Sequence, residues 1–229
     1  KSYRKMKTDE WTQRLGKNFD ERVQYAKDHN YEIEQPPADL DLRLGNLCNL
    51  KCRMCNPMNS SQIAKEHFEI SKNGMFYNVY KEEFNTVITK ERMAAIQNIY
   101  DSNFMWDDIV NNIPNIKKVY MTGGEPTLIK NNYRFMQECI DTGYAKDMEL
   151  FFNINCTNIT DRFLLLTKEF GTVKINASLD GTERVNSYIR HPSDWDKLQV
   201  NFARLVYSDH VILNVTPVIQ IYNIYNIVR

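Results

Sequence analysis

The apolar positions of this chain change period along its length. In residues 1–38 they recur at helical spacing, with Trp11, Leu15, Phe19, Val23 and Ala26 three or four residues apart on one face. That spacing predicts an N-terminal helix packed on the main domain and ended by Gln35-Pro36-Pro37. From residue 39 onward, short apolar and β-branched runs take over, at 40–44, 117–121, 149–154, 172–179 and 211–219. Helical patterns separate them, at 63–70, 131–142, 160–170 and from a Ser193 cap to about residue 208. Strands alternating with helices of this length form parallel βαβ units. The expected fold class is therefore α/β. Five strands suit either an incomplete β/α barrel or a doubly wound sheet with outer helices. Both collect the C-terminal strand ends on one face, where such folds place their chemistry. Residues 75–112 are rich in aromatics (Phe76, Tyr77, Tyr80, Phe84, Tyr100, Phe104, Trp106). They are expected within a helical insertion at about 60–113, packing helices onto the core rather than facing a substrate.

Composition narrows the function classes. The 229 residues allow one large domain or two small ones. We expect a helical extension over 1–38 and a core over 39–229. Twenty-nine basic and 29 acidic residues cancel, so no basic field indicates nucleic-acid binding. No apolar run reaches the roughly 18 to 20 residues that span a membrane. The densely charged first twenty residues are not a secretory signal. Five cysteines, an odd number, are not a disulfide framework; they suggest a metal or redox role in a reducing compartment such as the cytoplasm. The chain lacks an initiator Met and stops at Ile227-Val228-Arg229, just after an apolar segment. This pattern leads us to expect a fragment of a longer protein.

The chemistry sits at the predicted strand ends. The first strand leads into Cys48-x3-Cys52-x2-Cys55, and the second into Thr122-Gly123-Gly124-Glu125-Pro126. The third ends at Asn153 and Asn155, the fourth at Ser178 and Asp180-Gly181, and the fifth leads to Gln220. A structural zinc takes four ligands, and the cysteine loop offers three. Three thiolates on a [4Fe–4S] cluster leave one iron without a protein ligand, and an open position lets a metal centre bind and activate something. Gly123 and Gly124 let backbone approach a ligand closely, and Glu125 could accept hydrogen bonds from an ammonium group. Two other classes stay open, a non-catalytic iron–sulfur electron carrier and a zinc-binding interaction module.

The three-cysteine motif resembles the cluster motif of the radical S-adenosylmethionine (radical SAM) superfamily, and Thr122–Pro126 resembles its Gly-Gly-Glu motif. Ser178-Leu179-Asp180-Gly181 with Arg190 is similar to the fourth-strand segment of members that modify peptides and proteins. The run from Cys48 to Pro57, together with Tyr188-Ile189-Arg190 and Ser193-Asp194-Trp195, resembles members carrying a twitch or SPASM extension. The resemblance implies a partial β/α barrel of about five to six strands. It also implies a [4Fe–4S] cluster on Cys48, Cys52 and Cys55, with S-adenosylmethionine chelating the open iron. One electron would then cleave the cofactor to a 5′-deoxyadenosyl radical that abstracts a hydrogen atom from a substrate, an oxidoreductase chemistry. By similarity, Gly123, Gly124 and Glu125 take the methionyl ammonium, Asn155 and Ser178 contact ribose or carboxylate, and Arg190 pairs with the carboxylate. The implied partners are a peptide or protein substrate and an electron donor such as flavodoxin or ferredoxin.

The sequence departs from the family at three points. Met54 stands where many members have an aromatic residue near the adenine, and it can pack similarly. Cys156 follows Asn155 where a glycine is common, and we expect it to be a bystander. Cys139 is expected to be a buried thiol. With Cys156 it cannot supply the ligands of auxiliary clusters.

Overall fold

The computed structural model describes residues 2–34, 36–72 and 102–227. Phe76, Tyr77, Tyr80, Phe84 and Tyr100 of the expected insertion lie outside the described residues. The chain divides into two compact units, Lys1–Pro37 and Ala38–Arg229.

The first unit holds two helices where the apolar spacing predicts one. Helix α1 (Tyr3–Leu15) starts with the Ser2 hydroxyl accepting from the Lys5 N–H at 3.3 Å. It stops at Gly16, whose φ of 54° no other residue type adopts as cheaply. Helix α2 (Lys17–Asp28) follows at once. The helical period runs across Gly16 without a slip, which is why the spacing alone does not register the break.

The second unit is built on five parallel strands: β1 (Asp39–Leu42), β3 (Lys118–Met121), β4 (Glu149–Ile154), β5 (Thr172–Ala177) and β7 (Val211–Val215). Their order in the sheet is β1-β3-β4-β5-β7, the order of the chain, and β1 does not pair with β7. This is the expected α/β architecture as an open partial barrel. Helix α3 (Ser61–Lys72) follows the cysteine loop and α4 (Asn103–Asn112) precedes β3. Helix α5 (Lys130–Asp141) follows β3, α6 (Asp161–Thr167) follows β4, and α7 (Glu183–Ile189) and α8 (Trp195–Val206) follow β5. Two short strands, β2 (Lys51–Cys52) and β6 (Arg190–His191), pair antiparallel beside the main sheet.

Helix α7 and strand β6 carry too few residues to show a period, and the sequence reading passes over them. Helix α8 is capped by Asp194, whose carboxylate accepts from the Lys197 N–H at 3.3 Å, and not by Ser193. Ser193 instead accepts from Asn186 in the interior. The last strand is shorter than its apolar run and ends at Val215, two residues before Pro217.

The sheet has two unlike faces. Val119, Met121, Leu150, Phe152, Ile154, Val173 and Ile175 are buried against helix residues such as Phe135, Met136, Phe163, Leu198 and Leu205. This apolar burial holds the unit together. The opposite face presents Tyr120, Phe151, Asn153, Lys174 and Asn176, all partly exposed. On it the register aligns Asn153, Asn176 and Asn214 in one row across β4, β5 and β7. The two faces predict unequal losses. Phe152→Ala is expected to cost about 3–5 kcal/mol in urea denaturation. Tyr120→Phe, on the open face, is expected to cost less than about 1.5 kcal/mol.

Candidate functional site

The cysteine loop is tied down at both ends. The Cys48 N–H donates to the Ser61 hydroxyl at 3.1 Å, and the Cys48 sulfur accepts from the Leu50 N–H at 3.4 Å. Ser60 donates to the Leu50 carbonyl at 2.8 Å and caps α3 through the Ile63 N–H. A turn closes Cys52 to Cys55, and the Asn56 side chain accepts from Met58 and Asn59 N–H groups just beyond. The middle of the loop is clamped by the second short strand, with Cys52 in register with Arg190. Arg53 adds to the clamp. Its N–H donates to Ile189 O at 2.9 Å, its Nε to Tyr188 O at 3.1 Å, and its guanidinium lies 3.7 Å from the Tyr188 ring centroid. All five cysteines are free thiols.

The glycine pair serves the fold before any ligand. Gly124 has a φ of 59°, and a Cβ on it would lie 2.3 Å from Leu47 O. The space that a side chain would fill is therefore occupied by the backbone leading into the cysteine loop, and not held open for a cofactor. The Glu125 N–H donates to the same Leu47 carbonyl at 2.8 Å. Gly123 plays a similar part against Gly45 O, which a Cβ would meet at 2.9 Å, and it is absent from the cavity wall.

Glu125 is 1% exposed. One carboxylate oxygen accepts from the Thr127 hydroxyl at 2.6 Å and the Thr127 N–H at 3.3 Å; the other accepts from the Asn155 N–H at 2.7 Å. Burial pushes its pKa up from 4.5 to about 7, and these hydrogen bonds offset part of the rise. In this window the folded chain keeps the Glu125 proton that the unfolded chain has lost, so stability falls as pH rises from 4.5 towards 7.

One cavity gathers most of the residues singled out in the sequence. Cys48, Cys52, Cys55, Met54, Gly124, Glu125, Asn155, Ser178 and Arg190 all line it. Asn155 is already engaged: its carbonyl accepts from Thr157, and its amide donates to Asn49 at 3.1 Å. Ser178 uses its N–H on Ile154 O, leaving the hydroxyl without a partner among the described residues. Arg190 is 8% exposed, with one terminal nitrogen 4.0 Å from the Cys52 sulfur and its Nε 2.8 Å from the Asp180 carboxylate. Asn56, Asn59 and Thr122 also line the cavity, whereas the sequence reading has Asn59 only as an N-cap candidate and Thr122 only as the head of the Gly-Gly-Glu motif. Their nearness to Cys55 and to Gly-Gly-Glu is the only signal it contains. Gln220 does not reach the cavity wall. Cys139 and Cys156 are fully buried in the core and are absent from that wall; Cys156 holds a φ of 60°.

The donor set suits a cluster. Burial pushes the Cys48 and Cys55 thiols up and Cys52 up to about 12, so a metal must displace their protons. Among the described residues no three His, Cys, Asp or Glu side chains converge on a single ion position. The loop's three cysteines line one cavity, one ligand short of the four that a structural zinc takes. The Leu50 N–H and Arg190 guanidinium already address two of the sulfurs, as outer partners of metal-bound thiolates do.

No protein-family model matches the chain. GTP 3′,8-cyclase from two strains of Staphylococcus epidermidis is 27% identical over 158 residues, which is 66% of this chain and 36% of that enzyme. The chain thus spans about a third of the length of these relatives. Among solved structures, Streptococcus suis SuiB superposes with a TM-score of 0.54 at 16% identity, covering 93% of this chain and 40% of SuiB. SuiB bound to precursor peptide SuiA gives 0.53 at 17% identity, with the same coverage. SuiB bound to S-adenosylmethionine gives 0.50 at 16% identity. The likeness to SuiB is one of fold. The sequence is thus similar to that of GTP 3′,8-cyclase, and the fold to that of SuiB.

Proposed function

We propose that this chain carries the S-adenosylmethionine-cleaving core of a radical SAM enzyme. The observation that best supports this reading is one cavity lined by three free thiols together with Glu125, Ser178 and Arg190. Cys48, Cys52 and Cys55 would hold a [4Fe–4S] cluster with one iron open. When bound, the cluster supplies the electron that splits S-adenosylmethionine into methionine and a 5′-deoxyadenosyl radical, which takes a hydrogen atom from the substrate.

The chain's own residues bind and orient. A carboxylate offers about four acceptor sites, so Glu125 retains room for the cofactor's amino group beside its bonds to Thr127 and Asn155. Arg190 has five N–H donors and, among the described residues, only Asp180 and Cys52 as side-chain partners, which suits it to pair with a carboxylate. The unpartnered Ser178 hydroxyl is the freer contact for ribose or carboxylate. Asn155 mainly braces the wall. Met54 offers an apolar, polarizable surface to adenine.

The name of the cyclase points to a nucleotide substrate, and the peptide-bound SuiB structure to a peptide. The open sheet face favours the second. Its aligned Asn153, Asn176 and Asn214 are uncharged, and its Lys118 and Lys174 both face Glu149, at 3.6 and 2.9 Å. A triphosphate would find its cations there already engaged, whereas peptide amides match the asparagines. The resemblance to twitch and SPASM members points the same way. The electron would come from a small reductase partner of the flavodoxin or ferredoxin kind, in a reducing compartment. An electron carrier would leave Glu125, Ser178 and Arg190 with nothing to bind.

Anaerobic reconstitution of the full chain is expected to give about four iron atoms per chain. S-Adenosylmethionine and dithionite should then release 5′-deoxyadenosine. A zinc-loaded protein, or a cluster that leaves S-adenosylmethionine intact, would overturn the reading. Cys52→Ala is expected to lose the cluster absorbance and most of the iron. Glu125→Gln should keep its iron and bind S-adenosylmethionine roughly tenfold more weakly by calorimetry, about 1.4 kcal/mol. Because Glu125 is ionised only above a pKa of about 7 in the ligand-free protein, affinity for S-adenosylmethionine should fall as pH drops through that value. That step should be missing in Glu125→Gln, and a step that persists there would assign it to another group.

A further inference from the structure

Asp180 is fully buried and absent from the cavity wall, yet four contacts from separate segments converge on it. Its N–H donates to the Asn186 side chain at 3.0 Å, and its backbone carbonyl accepts from the Asn223 side chain at 2.9 Å. One carboxylate oxygen accepts from the Val218 N–H at 2.7 Å. The other lies 2.8 Å from Arg190 Nε. That last contact is short but out of line for a hydrogen bond, leaving both atoms without an aligned partner, so it acts as a charge contact.

Arg190 needs such a contact. A guanidinium at 8% exposure, with its nearest other side-chain partner a sulfur 4.0 Å away, is costly unless a carboxylate offsets its charge. Asp180, which is not part of the cavity wall, offsets it at 2.8 Å. The carboxylate cannot swing away, because the Val218 N–H holds its other oxygen and Asn186 and Asn223 hold its backbone.

We infer that Asp180 is a positioning residue: it anchors the Arg190 guanidinium at the cavity wall beside the Cys52 sulfur, ready for an anionic group of the cofactor. Through Val218 and Asn223 it makes the segment after β7 part of that anchorage. This inference rests on the function proposed above. It adds to that reading a residue that touches neither cluster nor cofactor.

The test is a double-mutant cycle on the reconstituted full chain, reading iron content, the reduced-cluster electron paramagnetic resonance spectrum and the S-adenosylmethionine dissociation constant. Asp180→Asn is expected to weaken S-adenosylmethionine binding about tenfold with iron content retained, and to alter the spectral change that S-adenosylmethionine induces. Arg190→Gln should weaken binding at least as much. The double variant should bind no more weakly than Arg190→Gln alone, because Asp180 acts only through Arg190. Wild-type affinity in Asp180→Asn, or losses that multiply in the double variant, would overturn the proposal. Should Asp180→Asn fail to fold around an uncompensated cation, the double variant, which has neither charge, is expected to recover the fold; no recovery also overturns the pairing. A wild-type chain that binds no iron counts against the proposed function instead. The urea midpoints of the same four proteins then decide the pairing, which requires them to be non-additive.

Discussion

The carbonyl of Leu47 organises the site. It accepts the Glu125 N–H and occupies the volume where Gly124 would carry a Cβ. Backbone meeting backbone at this distance fixes the cysteine loop against the turn after β3. Any side chain at Gly124 would force the two segments apart, and the thiols would leave the wall that Glu125 shares. The other restraints extend this contact. Ser60 and Ser61 hold the loop to α3, and the short β2–β6 ladder holds it to Arg190.

Three buried charges give the cavity its chemical bias. Burial pushes the Glu125 pKa up to about 7, and its hydrogen bonds to Thr127 and Asn155 and the Arg190 charge offset only part of the rise. Asp180 lies 2.8 Å from the Arg190 guanidinium and offsets the cost of its burial. A zwitterionic ligand, carrying an amino group and a carboxylate, is the kind that satisfies both ends at once. The three thiols share that cavity wall, and burial raises the pKa of each.

The open face of the sheet brings Asn153 to the cavity wall and pairs its Lys118 and Lys174 with Glu149. On the opposite face, large apolar side chains bury themselves under helices and supply the stability. Parallel strands alternate these two faces residue by residue, so Phe152 stabilises the core while its neighbours Phe151 and Asn153 face the open side. The same sheet can thus be rigid and still present polar groups to a substrate.

Much of this was legible in the sequence. Apolar periods set the five parallel strands and their main helices, because burying one face imposes a repeat that composition cannot hide. The cysteine spacing and Gly-Gly-Glu marked residues that share one cavity wall, because both follow strands of a parallel sheet, whose C-terminal ends lie on one face. Tertiary structure alone decided what those glycines are for: Gly124 answers to Leu47, 77 positions earlier by number, and no local pattern records that approach. It also decided the standing of Asp180. Its partners Arg190, Val218 and Asn223 are brought to it by the fold, and a charge pair made across separate segments leaves no period in the sequence. Helix α7 and strand β6 were likewise hidden, since elements this short are held by their neighbours rather than by their own pattern.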